Sequence, residues 1–257
     1  MDFQWLLLLG SGFVSGMINA VAGGGTIVIY PVLLAMGLPP ISANASSNGV
    51  VVLGTFSSAF GYRKYIANLP KRYFLLIIPV LIGSLIGVVL LANTSNQTFE
   101  YIVPWLVLTA TILLLAQTRI NNWLYGNKRR KSNAHSVRVF GIISILMIVT
   151  ALYGGYFGAG YGIITLAILG FSELSNINQL NSLKNITSIC VGVVSVVYLS
   201  SIGLINWSVI PLLMIGNVIG GWFGATYSSK LPSKLIRNII IGFAVMLSLI
   251  LFAKRYL

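Results

Sequence analysis

The sequence predicts an all-α polytopic membrane protein arranged as two inverted-topology repeats. Three observations carry this: the composition, a succession of long apolar runs, and a duplicated glycine-rich break. Of 257 residues, 57% are hydrophobic and only 7% charged, and the mean hydropathy is +0.93. A soluble domain carries about 25% charged residues. So sparse a set cannot cover a water-facing surface, and the solvent for most of the chain is lipid. The formal charge of +13 comes from 16 Lys and Arg against three acids, Asp2, Glu100 and Glu173. On a soluble protein this would suggest nucleic acid. Here the basic residues flank apolar runs, which is how a membrane protein sets its topology, so no nucleic-acid partner is expected. The single Cys190 excludes an internal disulfide framework and a thiolate metal cluster.

The elements follow in chain order. Met1-Asp2-Phe3-Gln4-Trp5 lacks the basic start of a cleavable signal and runs straight into an apolar segment. Phe3–Leu38 is apolar but interrupted by Gly23-Gly24-Gly25. Ala43–Tyr62, Tyr73–Ala92 and Phe99–Gln117 read as spanning helices. A basic linker, 119–136, separates them from Val137–Phe171, which is interrupted between Gly154 and Gly162. Ile177–Leu199, Trp207–Tyr227 and Leu235–Ala253 complete the second half. The domains are therefore expected at 1–118 and 137–257. Thr26–Leu38 and Ile163–Phe171 are too short to span as straight helices, because a ~30 Å core needs ~20 residues.

Orientation comes from the positive charges. Arg63, Lys64, Lys71 and Arg72 share one loop; the central linker holds Lys128, Arg129, Arg130 and Lys131; a third loop holds Lys230, Lys234 and Arg237. The linkers Gly37–Ser42, Asn93–Thr98 and Ser200–Asn206 carry no basic residue. With the basic loops cytoplasmic, an even number of crossings must separate the central linker from Lys230. The long runs supply an odd number, so the short segment Ile163–Phe171 must return across the membrane. By analogy Thr26–Leu38 does the same. Both termini then lie outside, although Lys254 and Arg255 run against that orientation.

The halves also match residue by residue. Ile82-Gly83-Ser84-Leu85-Ile86-Gly87 resembles Ile215-Gly216-Asn217-Val218-Ile219-Gly220, with Pro79 and Pro211 before them. At an offset of 136, Gly24 falls over Gly160, Ile27 over Ile163, Ser46 over Ser182 and Asn48 over Lys184. An odd number of segments per half inverts the second relative to the first. Inverted repeats with interrupted helices in corresponding positions typify secondary transporters, whose substrate sits near the midplane.

A glycine-rich break survives in lipid only if it is buried in protein or lines a wet cavity. Helices starting at Thr26 and near Ile163 would present free N–H groups and positive dipole ends. Two such ends make an anion site without a charged side chain. The candidate backbone cradle is Gly23, Gly24, Gly25 and Thr26 in the first half, with Gly158, Gly160 and Gly162 in the second. Candidate side-chain donors are Asn19, Asn44, Ser46 and Asn48, then Asn181, Ser182, Lys184 and Asn185. Lys184 is the one ionisable residue well inside a predicted span, roughly 10 Å into its helix. A snorkelling lysine and an anion contact both fit that position. No Asp or Glu lies inside a span, which disfavours cation transport and a carboxylate proton relay. His135 is the only histidine and sits in the basic linker, so no serine dyad or metal-ligand motif forms. An enzyme is not expected, and neither is a cofactor.

The run from Gly16 to Thr26, with Pro31, Gly37-Leu38-Pro39-Pro40, Ala43 and Asn48, resembles the sulfite exporter TauE/SafE family. Gly155-Tyr156-Phe157-Gly158-Ala159-Gly160-Tyr161-Gly162, with Asn181, Lys184, Asn185 and Thr187-Ser188, is similar to the family's matching repeat. The resemblance covers nearly the whole chain. It implies a permease of the bacterial inner membrane for a small sulfur-containing anion such as sulfite, a sulfonate or sulfoacetate. The sequence departs from a symmetric pattern twice, with Ala167 opposite Pro31 and Lys184 opposite Asn48. Two rivals stay open: a permease or channel for another small anion, and a membrane scaffold or assembly factor with no transported solute. A homo-oligomer is compatible with all three.

Overall fold

The computed structural model describes residues 3–126, 137–174 and 176–227, together with 242, 245, 246, 249, 252 and 253. Ten α-helices and one 3-10 turn make up the described chain, and the described residues contain no strand. The first half holds α1 (Phe3–Ala22), α2 (Thr26–Ala35), α3 (Pro40–Gly61), the short α4 (Arg63–Ala67), a 3-10 turn (Lys71–Leu76), α5 (Ile77–Ala92) and α6 (Asn96–Gly126). After the linker come α7 (Val137–Tyr156), α8 (Tyr161–Leu169), α9 (Ile177–Ser201) and α10 (Ile210–Tyr227). The expected segments are thus present as helices, except Leu235–Ala253, which lies mostly outside the described residues. Lys230, Lys234, Arg237, most of the basic linker and both chain ends also lie outside them.

Among the described residues, four helices are long and apolar enough to cross a membrane: Lys71–Ala92, Arg138–Tyr156, Ile177–Ser201 and Ile210–Tyr227. Their outer faces carry exposed Ile78, Ile82, Ile145, Val149, Ile215 and Ile219. An unbroken apolar exterior of this kind suits hydrocarbon. The polar residues lie inside instead. In α3, Asn44, Ser46, Ser47 and Asn48 are all buried; in α9, Asn181, Ser182, Lys184 and Asn185 are. The helices α3 and α9 pack against each other at the middle of the bundle, with α10, α1 and α5 around them.

Small residues bring the helices close. A Cβ on Gly83 or Gly87 of α5 would overlap the carbonyl oxygens of Ile148 and Leu152 in α7. A Cβ on Gly216 or Gly220 of α10 would overlap those of Leu9 and Phe13 in α1. Each matched glycine pair therefore packs against the opening helix of the other half, the close backbone approach that small-xxx-small faces allow. The halves are also joined at the basic-loop end, where Arg72, stacked over the Tyr73 ring, pairs with Glu173 in the α8–α9 loop.

Candidate anion site where the two glycine breaks meet

The first break runs from the end of α1 into α2, with Gly25 at the N-cap position. The second runs from α7 into α8, with Gly160 at the N-cap and Tyr161 as the first helical residue. The second helix thus starts two residues earlier than its expected start near Ile163. Gly23, Gly158 and Gly160 have φ of +77°, +82° and +80°. This left-handed region costs an L side chain about 1–2 kcal/mol. The glycines are also needed for space. A Cβ on Gly162 would lie 2.6 Å from Gly23 Cα, and one on Gly158 would lie 2.6 Å from Asn48 Oδ1. The two breaks, 139 residues apart in sequence, touch backbone to backbone.

A cavity of about 40 Å³ lies at this crossing. Its wall includes Thr26 at the start of α2 and Tyr161 and Gly162 at the start of α8. Both helices thus start at the cavity with the positive ends of their dipoles, although the N–H groups of Ile27, Val28, Tyr161, Ile163 and Ile164 bond local carbonyls. Asn19, Gly23, Asn48 and Gly158 complete the predicted part of the wall. The amide of Asn19 donates to Thr55 Oγ1 at 2.8 Å. The Nδ2 of Asn48 is buried with no hydrogen-bond partner. A partnerless buried amide is costly unless something else completes it.

The other predicted residues support the site from behind or face elsewhere. Gly24 and Gly160 are in the breaks but not in the cavity wall. Gly25 packs on α1, and its carbonyl accepts from Ser15 Oγ at 2.9 Å. Asn44 donates to the Tyr156 carbonyl at 2.9 Å, tying α3 to the second break. Ser46 Oγ accepts from the Asn206 N–H at 2.9 Å, and Ser182 bonds within its own helix. Asn181 Oδ1 and both amide atoms of Asn185 are buried without partners. Lys184 does not snorkel: it is 1% exposed, and its Nζ donates to the Asn19 and Ala20 carbonyls at 2.9 and 3.1 Å. Its ammonium thus faces the C-terminal end of α1 rather than forming part of the cavity wall.

Sequence reasoning missed several wall residues. Val52 and Thr55 of α3 line the cavity on one face with the predicted Asn48, and Ser188, Gly192 and Ser195 of α9 line it as well. Both trios follow i, i+4, i+7, one helix face, and that spacing was a readable signal. Ser195 Oγ is a second buried polar atom there without a partner. Ser15 and Asn217 were also missed. Asn217 Nδ2 donates to Gly12 O at 3.2 Å and Ser15 Oγ at 2.9 Å, and Ser15 in turn holds the Gly25 carbonyl. This chain of bonds braces the first break from α10.

A second cavity, of about 410 Å³, opens where the three linkers without basic residues converge, lined by Pro39, Ser42, Thr94, Asn96 and Gly203. Tyr156 and Phe157 connect the two cavities along the chain. The Tyr156 hydroxyl is 3.4 Å from Thr94 Oγ1, while Gly158 lines the central cavity. Phe157 is buried among Tyr30, Phe99 and Tyr153, with ring centroids 5.8, 6.3 and 6.5 Å away.

The comparisons with known proteins agree with this architecture. A "probable membrane transporter protein" of Haemophilus influenzae is 28% identical over 245 residues, covering 92% of this chain and 90% of its own. The "probable membrane transporter protein YfcA" of Escherichia coli K12 is 25% identical over 256 residues, covering 94% and 88%. The "probable membrane transporter protein ORF9" of a Sinorhizobium species is 22% identical over 247 residues, covering 95% and 90%. No solved structure matches the chain significantly. The family pattern described as sulfite exporter TauE/SafE matches residues 8–251. With that match over nearly its whole length, the chain is a membrane transporter and belongs to the sulfite exporter TauE/SafE family.

Proposed function

We propose that the protein is a secondary permease for a small sulfur-containing anion across the bacterial inner membrane. The observation that carries this reading is the contact of Gly23 with Gly162. It brings the N-termini of α2 and α8 to one cavity whose wall has hydroxyls and amides but no carboxylate. Converging N–H and O–H donors suit a tetrahedral or pyramidal oxyanion. Thr26, Asn48, Ser188 and Ser195 are the side chains we assign to the anion, with Asn19 held beside them by Thr55. The cavity volume favours the smallest member, a sulfite-like ion, over taurine-sized sulfonates; a larger substrate requires the site to widen.

The proposal includes an inverted repeat, 1–118 and 137–257, with the linker 119–136 cytoplasmic and both termini outside. Support comes from the reciprocal packing, in which α10 lies on α1 as α5 lies on α7. A thermal-shift panel with sulfite, sulfoacetate, sulfate, chloride and acetate tests the substrate class. Stabilisation by the sulfur oxyanions alone is expected. Equal stabilisation by acetate or chloride points to the rival anion reading. Stabilisation by none of them, with no flux of any of the five anions through folded protein, leaves the scaffold reading.

A further inference from the structure

We propose that Lys184 is the proton-binding site of this transporter and that one proton moves with each monovalent anion. This rests on the anion-permease reading above. Lys184 is the one ionised-type side chain buried at the middle of the described bundle, and its Nζ has only two backbone carbonyls, Asn19 and Ala20, for partners. Those carbonyls belong to the last turn of α1, whose dipole favours a cation modestly. Among the described residues, helices α1, α3, α4, α5, α7 and α8, which pack against α9, carry no acid. Helices α1, α3 and α5, all packed against α9, carry no ionisable side chain. The others contribute Tyr161 from α8, Arg138, Tyr153 and Tyr156 from α7, and Arg63, Lys64 and Tyr65 from α4; α9 itself adds Cys190 and Tyr198. The nearest acid in the chain, Glu173 in the preceding loop, is paired with Arg72.

An ammonium held by dipoles alone in a low-dielectric interior pays most of its desolvation without compensation. With the anion cavity empty, Lys184 Nζ has only the dipoles of the Asn19 and Ala20 carbonyls for partners. The cavity is adjacent. Asn19 supplies both a carbonyl to Lys184 and part of the cavity wall, and the Lys184 stem lies against Gly162, where an added Cβ would stand 3.2 Å from its Cδ. An anion there supplies the missing counter-charge. Each then strengthens the other's binding by the same factor, because coupling between two sites is reciprocal. Lys184 takes a proton from the water on the side where the anion enters. When the anion leaves on the other side, the ammonium loses its counter-charge and returns the proton to water there. For a monoanion the cycle is electroneutral.

Methanesulfonate is the probe, since it does not titrate in the pH range used. Proteoliposomes holding the full chain are assayed first for labelled methanesulfonate counterflow at equal pH, then for accumulation driven by a pH gradient. Wild type should accumulate the anion on the alkaline side, up to about tenfold per pH unit for one proton per anion, unaffected by a valinomycin-imposed potential. Lys184→Gln should lose this accumulation, and its equal-pH exchange should no longer rise with acidity. Lys184→Arg keeps the carbonyl bonds but holds its proton, so it should also give a flat pH profile. A purely structural tie would lower the rate in Lys184→Gln at every pH and leave the wild-type profile shape intact. That result overturns the proposal, as does wild-type counterflow that ignores the gradient, whatever the variants do. Absence of any wild-type counterflow overturns the sulfonate reading and this proposal with it, and is distinguished from the preceding outcome by the equal-pH arm.

Discussion

Gly23 and Gly162 hold the site together because neither can carry a side chain. Each occupies the space of the other's Cβ, and Gly23 also has a left-handed backbone. Gly24, between Gly23 and the α2 cap, has ordinary φ and its nearest neighbour to an added Cβ is the end of Ile27 at 3.5 Å. We predict that Gly24→Ala keeps fold and flux, while Gly23→Ala and Gly162→Ala each lower thermal stability in detergent by about 2 kcal/mol or more. The two asparagines make a matching contrast. Asn48 has an unused amide at the cavity, so Asn48→Ala should leave stability nearly unchanged and weaken anion binding about tenfold or more, the worth of one hydrogen bond to a charged group. Asn217 makes two bonds that brace the first break. Its alanine variant should lose about 1–3 kcal/mol of stability, read as a lower melting temperature with or without anion. The glycine runs were legible as breaks because no regular lipid-exposed helix needs them. The direction of Lys184 was not, because its acceptors are backbone carbonyls 164 and 165 residues away, and carbonyls leave no mark in a sequence.

At the scale of the elements, helix positions follow from apolar run length, while helix faces depend on partners. The runs placed α1, α3, α7, α9 and α10 to within a few residues, since each run must find either lipid or core. The side of α3 and α9 that meets the cavity was marked only by the i, i+4, i+7 spacing of its residues, a signal diluted because both helices are buried on most sides and carry polar groups on more than one face. The glycine pairs were legible as a repeated motif, though not their partners, which are the opening helices of the opposite half. Bulk at these positions should separate the halves. Gly83→Leu and Gly216→Leu should each give protein that fails to reach a monodisperse state in mild detergent, whereas Gly141→Leu, which has nothing within 4 Å of an added Cβ, should behave as wild type in size-exclusion chromatography. The Arg72–Glu173 pair at the bundle end is partly exposed, so Glu173→Gln should shift stability by no more than about 1 kcal/mol.

Over the whole molecule, a basic, acid-poor chain buries its polar residues around one central crossing and turns its apolar residues outward. The crossing needs both halves: α1–α2 from one and α7–α8 from the other, held by Lys184 across the join and by the Ser15–Asn217 brace. On the proposed reading, anion recognition by helix ends and neutral donors would need few charges inside. The duplication was legible as sequence offsets. The meeting of the two breaks was not, because it depends on how the halves interleave. The most direct test is counterflow of radiolabelled sulfite in proteoliposomes holding the purified protein, with sulfoacetate, sulfate, chloride and acetate as competitors and Asn48→Ala alongside. We predict saturable exchange blocked by sulfur oxyanions and not by acetate, with the half-saturation concentration raised in Asn48→Ala. Folded, monodisperse wild-type protein that exchanges no sulfite, or exchange that Asn48→Ala leaves unaltered, would contradict the account.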